Sequence, residues 1–146
     1  MWLPLSAAAA DVFDRYIAVL GVRETHDQLV LRRFEPIIAD LDAHGLLPHD
    51  PTLKAAKLDE LHRIILDALG FENMRIEYRL RIEKMFKRKD LEAVIADLES
   101  PAIAAVLKQQ GKALGEEVTA SEFAGSREKS ERVLRLMRVC LSGRNI

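Results

Sequence analysis

Residues 73–88 read Asn73-Met74-Arg75-Ile76-Glu77-Tyr78-Arg79-Leu80-Arg81-Ile82-Glu83-Lys84-Met85-Phe86-Lys87-Arg88, and the period given to this stretch decides the fold. Met74, Ile76, Tyr78, Leu80 and Ile82 alternate with polar residues, the pattern of a half-buried strand. The same residues also fit a helix: Met74, Tyr78, Ile82 and Met85 share one face, and Ile76 and Leu80 lie on another. No other segment looks like a partner strand, so the stretch is read as a helix. With two apolar faces, this fourth helix is expected at the centre of a bundle with neighbours on both sides.

The flanking sequence supports an all-α reading. The chain has 146 residues, enough to bury a core without metal or disulfide support. Aromatics are only 5%, and the seven Gly and five Pro fall mostly at joints between helical patterns. Ser6 is placed to cap a first helix that ends near Leu20, with Gly21 at a left-handed exit. Thr25 and Gln28 have capping-box spacing for a second helix, whose inward face is Val30, Phe34, Ile37, Ile38 and Leu41. Pro36 inside that run predicts a kink or a break. Asp50-Pro51 starts a third helix with Leu58, Leu61, Ile65, Ala68 and Leu69 inward and Gly70 at its end. Asp90 caps a short fifth helix. Ser100-Pro101 starts a sixth, with Ile103, Val106 and Leu107 inward. Residues 116–126 read either as a helical turn or as a loop that makes a flexible connection before the last helix, which Ser126 caps. The expectation is one all-α domain over 1–146, a bundle of six or seven helices with helix 4 (about 73–88) central.

Charge is distributed in blocks. The formal net charge is −1, yet residues 1–74 carry −5, 75–89 carry +5, 90–126 carry −5 and 127–146 carry +4. The blocks balance within one monomer, pair between copies, or leave a basic helix for a polyanion. Arg75, Arg79, Arg81, Lys84, Lys87 and Arg88 are the candidate polyanion contacts. They sit on the second helix of a helix-turn-helix-like element over 58–89, with Gly70 in its turn. An ordinary helical hairpin explains the same residues.

Catalytic patterns are not found. Cys140 lies between Val139 and Leu141 and reads as a small core residue; as the only cysteine it excludes an internal disulfide and points to a reducing compartment. His44, His49 and His62 cluster in sequence without metal-ligand spacing, and the histidines read as exposed or cap residues. No serine stands in a nucleophile elbow, and no glycine loop carries the Lys-Ser/Thr of a phosphate cradle. Neither a cofactor nor a metal is expected. No apolar run suits a signal peptide or a membrane span, so the expected location is cytoplasmic. The last helix has a broad apolar set, with Leu134, Met137 and Leu141 as candidate interface residues. The functional expectation is a helical protein-interaction module, homo-oligomeric and regulatory or accessory. Nucleic-acid binding through 58–89 is the alternative.

Overall fold

Asp50 sets the start of one of the longest helices: its Oδ2 accepts from the Leu53 N–H at 3.0 Å, and Pro51 follows at the first helical position. The computed structural model describes residues 12–96, 100–125 and 127–142. Among them are seven α-helices: α1 (Val12–Val19), α2 (Val22–Ala43), α3 (Pro51–Leu69), α4 (Arg75–Met85), α5 (Arg88–Ala96), α6 (Pro101–Gly125) and α7 (Arg127–Ser142). A 3-10 turn over Phe71–Asn73 joins α3 to α4, and the described residues contain no strand. The fold is all-α. The proposed caps Ser6 and Ser126 lie outside the described residues.

Several helix boundaries differ from the expectation. Helix α2 begins at Val22, directly after Gly21, whose φ of 64° turns the chain out of α1. Thr25 therefore lies inside the first turn and caps nothing. Helix α2 runs unbroken through Pro36. The missing N–H leaves the Arg32 carbonyl without its helical donor, on a side of the helix that faces solvent. Asp90 is likewise inside α5, in its first turn.

The largest difference is at 116–125. Residues 116–125 form the second half of the 25-residue helix α6 rather than a connection. Gly111 and Gly115 lie within it, on the face toward α2. A Cβ at Gly111 would stand 3.4 Å from Leu20 Cβ, and one at Gly115 would stand 3.3 Å from Thr25 Cγ2. The two glycines let α2 and α6 pack at short range, which outweighs their low helix propensity.

Two apolar clusters form the core. The first joins α1 (Val12, Phe13, Tyr16, Ile17), Val22, Phe71, Tyr78 and Ile82 with Leu91, Leu107, Leu114 and Val118. The second joins Val30, Phe34 and Ile38 with Leu47, the α3 residues Leu61, Ile65 and Leu69, and Val133 and Met137 of α7. Helix α2 packs along α6, α3 against α7, and α1 against α5. On α6 only Leu107 of the expected inward trio is buried; Ile103 and Val106 are exposed.

Helix α4 is amphipathic in a simpler way than expected. Tyr78 and Ile82 are fully buried, and Met74 packs at the edge of the same cluster. The second apolar face is largely open to solvent: Ile76 is 75% exposed and Leu80 49%. A helix with one buried face lies at the side of a core, so the expected central position with neighbours on both sides is corrected.

Candidate functional site

The basic stretch is largely paired within the chain. Arg75 reaches Asp14 of α1 at 3.1 Å. Arg79 bonds Glu83 at 2.9 Å and lies over the Phe13 ring. Arg81 bonds Glu77 at 3.0 Å and also pairs with Glu117 of α6. Arg88 is 3.6 Å from Glu92. Lys84 and Lys87 make no ion pair among the described residues. Exposed pairs of this kind are each worth about 0–1 kcal/mol, so they balance charge more than they hold the fold. The four arginines face carboxylates of their own chain, and the +5 block is screened locally.

The candidate interface residues of α7 turn inward. Met137 is fully buried in the second cluster, and Leu134 and Leu141 are half-buried against it. The breadth of the apolar set on α7 is explained by packing against α3. Met137 is therefore a core residue rather than part of a surface.

The histidines divide. His44 is exposed at the end of α2, with Nδ1 2.7 Å from the Asp40 carbonyl. His49 is exposed and His62 half-buried. Among the described residues, no group of three His, Cys, Asp or Glu is placed to hold a metal. The Cys140 thiol donates to Glu60 Oε2 at 3.1 Å, and Lys57 reaches the Cys140 carbonyl. Burial, then the bond to Glu60, push the thiol above its ordinary pKa, which keeps it protonated and a poor nucleophile.

His26 departs from the expectation of an exposed or cap residue. It is fully buried, at the boundary between the two apolar clusters, with Tyr78, Thr119 and Glu122 around it. Its Nε2 lies 3.0 Å from the Leu69 carbonyl and 3.3 Å from Glu122 Oε1. Both neighbours are acceptors when Glu122 is ionised, so Nε2 carries a proton. Nδ1 is 2.7 Å from the Tyr78 hydroxyl and, in a neutral ring, accepts from it. Thr119 donates to the Gly115 carbonyl at 2.6 Å. The Tyr78 phenol is pushed well above its ordinary value, chiefly by burial.

Glu122 is the orphan of this layer. Its side chain is sealed from solvent, and neither carboxylate oxygen has a hydrogen-bond partner among the described residues. The contact with His26 is close enough for an ion pair without hydrogen-bond geometry. Imidazolium with carboxylate and imidazole with carboxylic acid both leave this part of the core neutral, whereas a lone carboxylate there would be costly. His26, Tyr78 and Glu122 are closed to any substrate in this conformation. Beside this layer, Asp27 Oδ1 accepts from the Phe71 N–H at 2.8 Å and fixes the 3-10 turn that leads into α4.

A signal for this layer was present in the sequence. Val22, His26, Val30, Phe34 and Ile38 recur every four residues, so His26 sits on the apolar stripe once α2 is begun at Val22. Glu122 likewise follows Leu107, Gly111, Leu114, Gly115 and Val118 on one face of α6.

The open feature is the outer face of α4. Ile76 and Leu80 are one turn apart, with Arg79 and Glu83 on one flank and Glu77 and Lys84 on the other. Beyond Leu80 a cleft of about 330 Å³ separates α4 from α6, lined by Leu80, Met85 and Leu114 and bordered by Arg81 and Glu117. No protein-family model matches the chain, and neither a curated protein nor a solved structure matches it. Among the described residues, no helix is long and apolar enough to cross a membrane.

Proposed function

We propose that this chain is a small helical protein-interaction module that self-associates and serves a regulatory or accessory role. The observation that carries the reading is the exposed Ile76–Leu80 pair on α4. Isoleucine and leucine side chains side by side on a charged helix lose contact with water when a partner covers them. The partner favoured is a second copy. Each flank of the apolar pair carries one cation and one anion, so the patch has no net charge to repel a two-fold related copy. The interface moves accordingly from the α7 residues Leu134, Met137 and Leu141 to α4.

Light scattering at tens of micromolar tests this. The native chain is expected as a dimer, and Ile76→Asp with Leu80→Asp as a folded monomer. A native chain that stays monomeric overturns the reading. So does a dimer that survives both substitutions. Nucleic-acid contact through 58–89 has less support, because Arg75, Arg79, Arg81 and Arg88 already meet carboxylates of the chain. The reading as a non-enzyme rests on the lack of an accessible catalytic group around His26.

A further inference from the structure

We propose that the seam between α2 and α6 is a binding site for a small phosphate-bearing ligand. A cleft of about 330 Å³ opens there, with Arg32 on the α2 side and Lys108 and Lys112 on the α6 side. Thr25 and Gln28 add a hydroxyl and an amide, and Leu20 and Leu29 give an apolar wall. No carboxylate lines this cleft, and its three cations make no ion pair among the described residues. They differ in this from the arginines of α4, each of which has an acidic partner.

The placement of the lysines is the second argument. Lys108 and Lys112 are four residues apart on one helical face, a like-charge spacing that weakens a helix. Arg32 brings a third positive charge to the same opening, and a dianion there relieves the repulsion. The guanidinium fork suits two phosphate oxygens, and the ammonium groups add point charges. Backbone geometry holds the rows in place, since Gly111 and Gly115 let Leu20, Thr25 and Leu29 seat against α6. A smaller cleft of about 160 Å³ shares Leu29 and Arg32 and extends the groove past Arg33 to Glu116 and Thr119. Arg33 is stacked over the Phe123 ring at 5.1 Å, and Glu116, one helical turn beyond Lys112, is the carboxylate that lines this smaller cleft. The anionic group therefore belongs beside Arg32, Lys108 and Lys112, with any apolar part of the ligand on Leu20 and Leu29.

Titration of the isotopically labelled full chain with inorganic pyrophosphate tests the site, with sodium chloride at matched ionic strength as the control. Saturable amide shifts are expected in residues 25–33 and 108–116. Arg32→Ala and Lys112→Ala should each weaken binding about tenfold, the loss typical of one charge-assisted contact. Both side chains are exposed, so the urea midpoint should not move. Lys84→Ala and Lys87→Ala should bind as the native chain does. No saturable shift up to millimolar pyrophosphate overturns the proposal, as do shifts spread along α4 or variants at 32 and 112 that bind normally. A duplex DNA that binds these residues more tightly than pyrophosphate at equal salt overturns the small-ligand class.

Discussion

His26 on α2 and Glu122 on α6 face each other across the boundary of the two apolar clusters, Nε2 to Oε1 3.3 Å, with both side chains sealed from solvent. Their relationship is asymmetric: His26 has the Leu69 carbonyl and the Tyr78 hydroxyl as further partners, and among the described residues Glu122 has only His26.

That asymmetry sets a double-mutant cycle. His26→Ala leaves the buried Glu122 side chain without its partner and should cost about 3–5 kcal/mol in urea unfolding. His26→Leu combined with Glu122→Leu removes both polar groups and should cost clearly less than the sum of the single changes. A His26→Ala protein within about 1 kcal/mol of the native chain would falsify the pairing.

Alkaline pH should weaken the fold through its two tyrosines. Burial pushes both the Tyr16 and the Tyr78 phenol above the ordinary value of 10.0. Below that pH each is protonated in the folded and the unfolded chain, and the stabilisation is fully present. Above it the unfolded chain releases protons that the folded chain retains, so stability falls as pH climbs toward the folded values. The steepest loss is about 1.4 kcal/mol per pH unit for each phenol. Phenolate absorbance should stay low in the native protein just above pH 10 and appear on denaturation. Tyr78→Phe should make the alkaline loss shallower; an unchanged slope would count against the Tyr78 assignment.

Gly70 ends α3 for a steric reason. Its φ is −70°, which any residue adopts, yet an added Cβ would lie 2.5 Å from the Leu66 carbonyl oxygen and 3.3 Å from Asp27 Oδ1. Gly70→Ala should therefore cost about 1–3 kcal/mol, the range for overpacking. Gly125→Ala places its Cβ against nothing within 4 Å. That change should alter stability by less than about 0.5 kcal/mol. Equal effects in thermal unfolding would remove the steric account.

The elements that were legible in the sequence are those whose signals are local. Asp50-Pro51 marks the start of α3, and the spacing of Leu61, Ile65 and Leu69 gives its buried face, because cap and period depend on neighbours in sequence. The outer face of α4 was misjudged because Ile76 and Leu80 repeat correctly for burial, and only the positions of other helices decide whether anything covers them. His26 and Glu122 were missed for a linked reason. The Thr25–Gln28 capping-box spacing starts α2 too late to place His26 on a stripe begun at Val22, and the reading of 116–126 as a connection leaves Glu122 outside α6. The α2–α6 cleft was not legible, since Arg32 and Lys112 are 80 residues apart in sequence.

Helices α2 and α6 each contribute to both apolar clusters: Val22 and Leu114 on one side of the polar layer, Val30 and Phe123 on the other. Neither half can melt while the other keeps its full set of contacts, because the same two rods would have to be ordered and disordered at once. Amide protons in the middle of α2 and α6 should then exchange only through global opening, and the chain should lose its structure in one cooperative step.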